Sequence, residues 1–320
     1  MTETPSPIRR WWRLIQPLFL ALAFVFIALL LRSQWGELSR HTWRISPGWL
    51  LLSGLLMLGG WSVEVWLWRF ALARLGGELA YADALRIWFA SILVRYIPGN
   101  VWQPLGMTVL ARQRGVRVEA TVGSIALYQA VNLLSVLPIA ALYLLTVGDF
   151  GLLEPWLGGA TNWLVALAGA GVALFLLRPG WLIGLLNWAL IKAGRPMLEA
   201  ALTTAQLLRL LLVAVLAWLC WGSSFAAITF GLTVYTANEM AAVLPHLLAA
   251  FPIAYAVGYL SFITPSGLAV REGVLYLLLA PLLGGGPTTI AALAIRLWQV
   301  ILEVVVAGGV GLWARGKDIG

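Results

Sequence analysis

Three polar residues in the last long apolar stretch have the types and spacing of a charged site inside a helix bundle. Arg296, Gln299 and Glu303 recur at i, i+3 and i+7, which places them in one stripe on a single helix face. Arg296 and Glu303 would lie about 10 Å apart along the axis, so they cannot pair directly. A charge in hydrocarbon costs at least about 2.5–3.5 kcal/mol. The stripe therefore predicts an internal ion-pair network or a site for a charged substrate, and both interpretations can hold together.

Potential partners for this stripe follow a break in the preceding apolar segment. The letters TPSG contain Pro265 and Gly267, which interrupt a helix, and two charged residues come shortly afterwards. Across a helix interface, these residues could supply the stripe with partners. The charged residues that we predict to bind substrate on this side are Arg271, Glu272, Arg296 and Glu303.

A second break, in the letters RYIPGNVWQP, lies beside another intramembrane cation. Pro98 and Gly99 interrupt the helix, and a new helix that starts at Gly99 would present free N–H groups that attract an anion. Arg95 adds a positive charge, so the break predicts a phosphate site that also includes Asn100 and Trp102. In the alternative interpretation, Arg95 extends to the membrane surface and Trp102 is an interfacial anchor.

Other polar residues in the apolar stretches favour structural roles. Glu64 lies one turn from Arg69 and is predicted to form an ion pair near the inner membrane surface. His246 is predicted to be structural. A polar face in the stretch 120–147 could line a groove, but packing against neighbouring helices is favoured. This face comprises Ser124, Tyr128, Asn132 and Ser135.

The composition of the whole chain places these residues in a membrane. The 320 residues are 61% hydrophobic and only 11% charged, whereas a soluble domain has about a quarter charged residues. Outer-membrane strands of alternating polarity are absent from the sequence. The net charge of +8 could indicate nucleic-acid binding. However, Arg and Lys concentrate in the predicted cytoplasmic loops, so we predict no nucleic-acid partner.

The apolar stretches predict an all-α, polytopic integral membrane protein with about six full spans and two broken, re-entrant hairpins. The hairpins, over 82–115 and 243–283, are predicted to enter from opposite faces. The segment 178–204 is predicted to lie along the membrane surface. The Arg/Lys asymmetry predicts a multi-pass protein of the cytoplasmic membrane with both termini inside. The six full spans are predicted over 14–31, 49–68, 120–147, 161–177, 205–232 and 288–313.

Several common chemistries have no signature in the chain. Two histidines and one cysteine cannot form a zinc site of ordinary spacing. There is no G-x-S-x-G and no paired-aspartate motif, and the letters GLWARGKD lack the Ser or Thr of a phosphate-binding loop. We therefore predict no metal, no cofactor and no catalytic residue. Enzymatic activity is uncertain, and a non-enzymatic function is favoured.

Two stretches together resemble a known membrane family. The letters LVRYIPGNVWQPLGMTVLARQRG at 93–115, and TPSGLAVREG at 264–273 followed by Arg296, are similar to the transmembrane domain of lysylphosphatidylglycerol synthases, the multiple peptide resistance factors, and their stand-alone flippase-like relatives. The resemblance covers about 15–315. It implies a lipid-handling domain, so we expect 1–320 to form a single transmembrane domain without a soluble catalytic domain. Many relatives carry charges where this chain has Gln129, Asn132 and Ser135.

The residues and the resemblance together favour a lipid translocase for an anionic phospholipid or lipid-linked headgroup. The alternatives are a membrane-embedded transferase acting on a lipid-linked substrate, and a non-transporting partner subunit of a lipid or glycan pathway. A membrane lipid is the expected substrate or ligand. A second copy of the chain and a separate lipid-modifying enzyme are the candidate protein partners.

Overall fold

A computed structural model describes residues 25, 28–29, 32–96, 102–147, 151–192, 194–261 and 267–317. Within these residues the regular structure is entirely helical. The α-helices are α1 (Trp35–Arg40), α2 (Pro47–Arg74), α3 (Tyr81–Ile92), α4 (Trp102–Arg112), α5 (Val118–Thr146), α6 (Glu154–Leu157), α7 (Thr161–Leu177), α8 (Gly180–Lys192), α9 (Thr204–Leu232), α10 (Ala237–Leu260), α11 (Val270–Leu283) and α12 (Gly285–Lys317).

The centre of the bundle is the pair α2 and α9, which make the most extensive helix contact in the described chain. Small and polar residues let the two helices approach closely, as is common in membrane bundles. The hydroxyls of Ser53 and Ser224 are hydrogen-bonded at 2.8 Å. A Cβ on Gly60 would lie 3.2 Å from the indole nitrogen of Trp221. The pair therefore forms a tight wall against which the other helices pack.

The predicted polytopic helical fold is confirmed. Among the described residues, five helices are long and apolar enough to cross a membrane: α2, α5, α9, α10 and α12. The bent pair α7 and α8 raises the number to six if it is counted as one span. The predicted first span, 14–31, lies almost entirely outside the described residues.

The first broken region is a short hairpin, as expected. Helix α3 has 12 residues and α4 has 11, so each is about 17–18 Å long, roughly half of a hydrocarbon core. Asp83 at the start of α3 forms an ion pair with Arg114 after the end of α4. Gly106 of α4 faces Ser91 of α3, whose hydroxyl would be 3.1 Å from a Cβ at that position. The chain therefore enters and leaves the bundle at the same end.

The second broken region begins earlier than the predicted range of 243–283. Helix α10 has 24 residues, so it is about 36 Å long and could span a bilayer alone. Its start is fixed by a capping box in which Thr236 and Glu239 exchange side-chain-to-backbone hydrogen bonds. Helix α11 has only 14 residues and leads directly into α12. The difference from the expectation is therefore a longer first helix that begins at Ala237.

Both ends of this second region lie near the start of α2. The peptide N–H of Arg44 donates at 3.1 Å to the carbonyl of Leu232, the last residue of α9, from which a short loop leads to Ala237 at the start of α10. At the other end, the amide of Gln34 donates to the hydroxyl of Tyr276 in α11 at 3.1 Å. The first hairpin has its ends at the far end of α2. The two broken regions consequently enter the bundle from opposite ends, which agrees with the predicted arrangement.

Helices α7 and α8 meet at an angle of 82°. Trp181, Leu185 and Trp188 of α8 are exposed on the surface of the bundle, and Leu182 and Ile183 are buried. The ammonium group of Lys192 lies 4.1 Å from the centre of the Trp188 ring. The near-perpendicular bend and the exposed aromatic face are the geometry expected of the predicted surface helix.

Candidate functional site

A cavity of about 150 Å³ lies between the two broken regions. Tyr128 is about 15 Å from the start of α5, and Trp221 is about 16 Å from the end of α9, so the cavity is near the middle of the bundle. Eight helices or their adjoining loops contribute to its wall. The lining residues are Glu64, Trp88, Gln103, Pro104, Met107, Ile125, Tyr128, Gln129, Trp218, Trp221, Phe251, Tyr255, Gly258, Tyr259, Gly267, Arg271, Arg296 and Gln299.

Arg271 is held on an aromatic face of α10. Its guanidinium carbon lies 4.7 Å from the ring centre of Tyr255 and 5.4 Å from that of Phe251. Such cation–π contacts stabilise a cation more strongly where water is excluded. A Cβ at Gly258 would collide with Cγ of Arg271, so only glycine leaves room for this side chain. Arg271 therefore reaches the cavity by passing over the end of α10.

The turn before Arg271 also depends on glycine. Gly267 has φ +67°, and a Cβ there would lie 2.9 Å from Cα of Gly258. Ala269, the residue before α11, has φ 69°, which is unusual for a residue with a side chain. The close crossing of Gly258 and Gly267 brings the start of α11 against α10. It thereby fixes the position from which Arg271 extends.

Arg296 and Glu272 form an ion pair between α12 and α11. Nη1 of Arg296 donates to Oε1 of Glu272 at 2.8 Å. The Glu272 side chain is 4% exposed and the Arg296 side chain 18% exposed, so the pair is largely removed from solvent. The expected interhelical partner of the stripe is therefore present. Arg296 itself lines the cavity, whereas Glu272 lies behind it.

The other two residues of the stripe, Gln299 and Glu303, form a buried polar pair on α12. Nε2 of Gln299 donates to Oε1 of Glu303 at 2.8 Å, and Glu303 is fully buried. Gln299 lines the cavity, but Glu303 is not among the lining residues. The stripe thus combines two interpretations that the sequence left open, because it contains an ion pair and also borders an interior cavity.

Glu64 lies in the cavity wall, so its predicted position near the membrane surface is wrong. The side chain was predicted to pair with Arg69 near the inner surface, but Glu64 is 9% exposed and borders the cavity. The indole nitrogen of Trp221 donates to Oε1 of Glu64 at 3.3 Å. Arg69 instead donates to the carbonyl of Leu79. A carboxylate within a mostly apolar helix is a signal for burial, and the five-residue separation from Arg69 is not the spacing of a helical ion pair.

The cavity also contains neutral hydrogen-bond donors that the sequence did not single out. Trp88 of α3 packs edge-on against Tyr128, with ring centres 5.4 Å apart. Its indole nitrogen is buried and has no hydrogen-bond partner within the described chain. The same holds for the amide nitrogen of Gln129 among the described residues. Neither residue belongs to the predicted polar face of 120–147; Gln129 was marked only as a neutral residue where many relatives carry a charge, and nothing local marked Trp88.

That polar face otherwise packs against tryptophans, as predicted. The indole of Trp68 donates to the hydroxyl of Ser124 at 3.0 Å. The indole of Trp218 donates at 3.1 Å both to the carbonyl of Asn132 and to the hydroxyl of Ser135. His246 also has a structural contact, a hydrogen bond of 2.9 Å between its Nδ1 and the hydroxyl of Tyr143.

The predicted residues of the first break are only partly described. Pro98, Gly99 and Asn100 lie outside the described residues, as does Pro265 of the second break. Arg95 is in a 3-10 helix, Leu93–Tyr96, and its side chain also lies outside the described part. Trp102, at the start of α4, is 42% exposed and is not among the lining residues. The neighbouring Gln103 does line the cavity.

The fold and the cavity define a polytopic helical membrane protein whose two broken regions face an interior cavity lined by aromatic, polar and charged side chains. The family model described as the lysylphosphatidylglycerol synthase TM region matches residues 15–307, and the chain belongs to that family. The resemblance inferred from the two motifs is therefore confirmed. A search among curated proteins finds none that matches the chain.

Proposed function

We propose that this protein is a lipid translocase that handles an anionic phospholipid or lipid-linked headgroup. The observation that carries the proposal is the pair of guanidinium groups, Arg271 and Arg296, that line one cavity midway through the bundle. Arginine binds phosphate through two parallel hydrogen bonds, so a cavity with two arginines suits a phosphate-bearing headgroup. Charged side chains within membrane spans usually face the interior of the bundle or a cavity, and there they commonly mark a substrate path.

The broken helices support movement of the headgroup rather than simple anchoring of a lipid. Irregular backbone at membrane depth requires protein or a wet cavity to satisfy its polar groups. Broken elements that enter from opposite ends and meet at a central site are the arrangement that alternating-access transporters use. A headgroup bound at the cavity could thus leave towards either face while its acyl or isoprenyl chains stay in the bilayer.

We further propose that the protein resides in the cytoplasmic membrane with both termini inside. The support is the excess of Arg and Lys in one set of loops. In this orientation the first hairpin, α3 and α4, enters from the cytoplasm and the region α10 to α11 enters from the exterior. The membrane lipid would be the substrate, and a second copy or a separate lipid-modifying enzyme would be a protein partner.

The test is leaflet exchange by the purified full chain in liposomes. Phosphatidylcholine vesicles carrying a trace of fluorescent phosphatidylglycerol are treated with an impermeant quencher of the outer leaflet. We expect quenching beyond half of the signal only in vesicles that contain the protein, and Arg271→Ala should abolish this additional quenching. Arg209→Ala is the matched control because Arg209 is an exposed arginine of α9 outside the cavity wall.

Two results would contradict the proposal. Exchange that is unchanged in Arg271→Ala would remove the arginine cavity from the transport path. A covalent change in the recovered lipid, measured by mass spectrometry, would support the membrane-embedded transferase instead. Retention of exchange in Arg209→Ala together with its loss in Arg271→Ala would support translocation through the cavity.

A further inference from the structure

A second pocket lies where α2 ends and the loop to α3 begins, away from the central cavity. Its volume is about 480 Å³, and its wall is formed by the last turns of α2 and by the loop. Arg69 of this wall follows Glu64 of the central cavity by five residues, so the two side chains leave α2 about 140° apart. The two pockets are therefore separate sites on different faces of one helix.

The loop side of this pocket is a closely packed turn. The peptide N–H of Gly77 donates to the carbonyl of Leu72 at 3.0 Å and that of Gly76 donates to the carbonyl of Ala73 at 3.4 Å, which is the Schellman pattern at a helix end. Gly76 has φ +78°, the left-handed conformation that the pattern requires. A Cβ on Gly77 would lie 2.7 Å from the Leu72 side chain. The turn thereby fixes the position of Glu78, which follows it directly.

Arg69 is the cation of this pocket. Its Nε donates to the carbonyl of Leu79, which holds the guanidinium against the loop. A guanidinium has five N–H groups, and the other four make no hydrogen bond within the described part of the chain. Trp66 and Phe70 line the pocket with stacked rings whose centres are 5.3 Å apart, and Arg74 lies 4.7 Å from the centre of the Phe70 ring. Arg69 is thus left with donors for an anion, and a second cation lies close by.

Glu78 gives the same pocket a negative charge. Its side chain is exposed, and it forms no ion pair with Arg69 or with any other residue that the structure describes. A cation and an anion that line one pocket without pairing are complementary to a zwitterion with both charges on a short link. Phosphoethanolamine has this arrangement, because its phosphate suits a guanidinium and its ammonium donates to a carboxylate. Phosphocholine cannot make the second contact, since its nitrogen has no hydrogen to donate.

The face of α2 next to the pocket suits the acyl chains of a lipid. Leu51, Leu55 and Leu58 are exposed and lie on the same stripe of the helix as Trp66 and Arg69. Arg69 is about 8 Å from the end of α2, which is a depth for headgroups rather than for hydrocarbon. In the proposed orientation this end of α2 faces the cytoplasm, so a lipid bound here belongs to the inner leaflet.

We propose that Arg69 and Glu78 form a peripheral site for phosphatidylethanolamine, with the phosphate on Arg69 and the ammonium on Glu78. The binding does not depend on lipid translocation, and only the assignment to the inner leaflet uses the proposed orientation. A lipid in this site contacts both α2 and the loop that leads into the first hairpin.

The experiment compares lipids that share their chains and differ in the headgroup. Binding to the purified full chain is measured by thermal shift as a function of the concentration of dihexanoyl phosphatidylethanolamine, phosphatidylcholine or phosphatidylglycerol. We expect the ethanolamine lipid to bind about three- to tenfold more tightly than either of the others. Free phosphoethanolamine should bind at least about tenfold more weakly than its lipid, because it lacks the chains that contact α2.

Substitutions at the two charged positions test the assigned contacts. Glu78→Gln, at an exposed position, should fold like the wild type and reduce the preference for ethanolamine over choline to less than about twofold, because the amide oxygen is an uncharged acceptor. Glu78→Lys should turn the preference towards the glycerol lipid. Arg69→Gln should weaken the binding of all three lipids, which share the phosphate. Glu199→Gln is the matched control, since Glu199 is exposed and lies outside the pocket wall, and it should keep the preference.

The outcomes separate this site from the central cavity and from the proposed function. Equal binding of the ethanolamine and choline lipids, a preference unchanged in Glu78→Gln, or a preference lost in Glu199→Gln would overturn the site. Free phosphoethanolamine that binds as tightly as the lipid would overturn a lipid as its occupant. Arg271→Ala should keep the preference, and its loss there would move the binding to the central cavity and overturn the peripheral site. If exchange depends on Arg271 while the wild type shows no preference, the translocase proposal holds and the peripheral site does not.

Discussion

The two broken regions contribute unlike chemistry to one cavity. The α3–α4 hairpin is short and gives the cavity wall neutral side chains, Trp88 and Gln103 among them. The region α10 to α11 is longer, crosses itself at Gly258 and Gly267, and supplies Arg271. Its ion pair is buried inside the bundle, whereas that of the first hairpin lies at the bundle end. The helices beside two similar Pro/Gly sequences therefore form a neutral wall on one side of the cavity and a charged wall on the other.

The largest expected effect is in cysteine labelling, which shows from which face of the membrane each broken region enters. Gln113→Cys, after α4, and Asn238→Cys, at the start of α10, are both at exposed positions. Cys220, the one cysteine of the chain, is first replaced by alanine so that each variant has a single reactive thiol. An impermeant maleimide added to intact cells should then label Asn238→Cys. Gln113→Cys should remain unlabelled until the membrane is opened. The physical reason is the Arg/Lys asymmetry. Labelling is expected to be all or none.

Arg40→Cys, in the predicted exterior loop, is the control for this labelling. It should behave like Asn238→Cys. Labelling of all three positions from the same side would contradict the opposite orientation of the two regions, and labelling of Arg40→Cys only after opening would reverse the proposed topology.

The next largest expected difference is in the stability that each region's ion pair contributes, Glu272–Arg296 in one and Asp83–Arg114 in the other. Glu272→Gln should lower the free energy of unfolding by about 3 kcal/mol, because it leaves the charge of Arg296 uncompensated in a largely buried site. Asp83→Asn should cost less than about 1 kcal/mol, because Asp83 and its partner Arg114 are 24% and 45% exposed. The measurement is denaturant unfolding in detergent. Equal losses in the two variants would show that the two pairs do not differ in burial.

Glycine substitutions give a smaller contrast between the same regions. Gly267→Ala adds a side chain at φ +67° and 2.9 Å from the Gly258 backbone, so we expect a loss of about 2–3 kcal/mol. Gly115→Ala, after α4, has φ +80° but no atom within 4 Å of the new Cβ. It should cost only about 1 kcal/mol of backbone strain. Melting temperatures of the purified variants would rank the two, and a larger loss in Gly115→Ala would contradict the close crossing.

The sequence predicted the charged wall better than the neutral wall. Charges are rare in membrane helices, so Arg271, Glu272 and Arg296 were identified from type and position alone. Because Arg296 and Glu303 cannot pair with each other, Arg271 and Glu272 were predicted as possible partners, and the structure pairs Glu272 with Arg296. Trp88 is one of 18 tryptophans, and nothing local distinguishes it from an interfacial anchor. Its role depends on which helices surround it, and that is determined by tertiary packing.

Two further differences have local explanations. Glu64 and Arg69 are five residues apart, so they lie on different faces of α2 and the predicted surface pair does not form. The close approach of α2 and α9 buries Glu64 beside Trp221 instead. The length of α10 was underestimated because the Pro/Gly break marks where the helix ends and not where it begins. The capping box at Thr236 and Glu239 was the signal for its start.

The smallest expected effect, and the one that joins the two regions, concerns their arginines. We predict that Arg95 and Arg271 contact one anionic headgroup, so Arg95→Lys and Arg271→Lys should fold normally and each lose about tenfold in lipid binding, because lysine cannot make the bidentate contact. If both act on the same step, the double variant should be about as impaired as either single one. Thermal shift with dihexanoyl phosphatidylglycerol measures the binding.

If Arg95 only extends to the membrane surface, Arg95→Lys would bind the lipid as well as the wild type does, while Arg271→Lys would bind it more weakly. In that case the first hairpin would contribute no charged residue to the headgroup site. Full leaflet exchange by a folded Arg95→Ala, Arg271→Ala double variant would leave both arginines as structural residues.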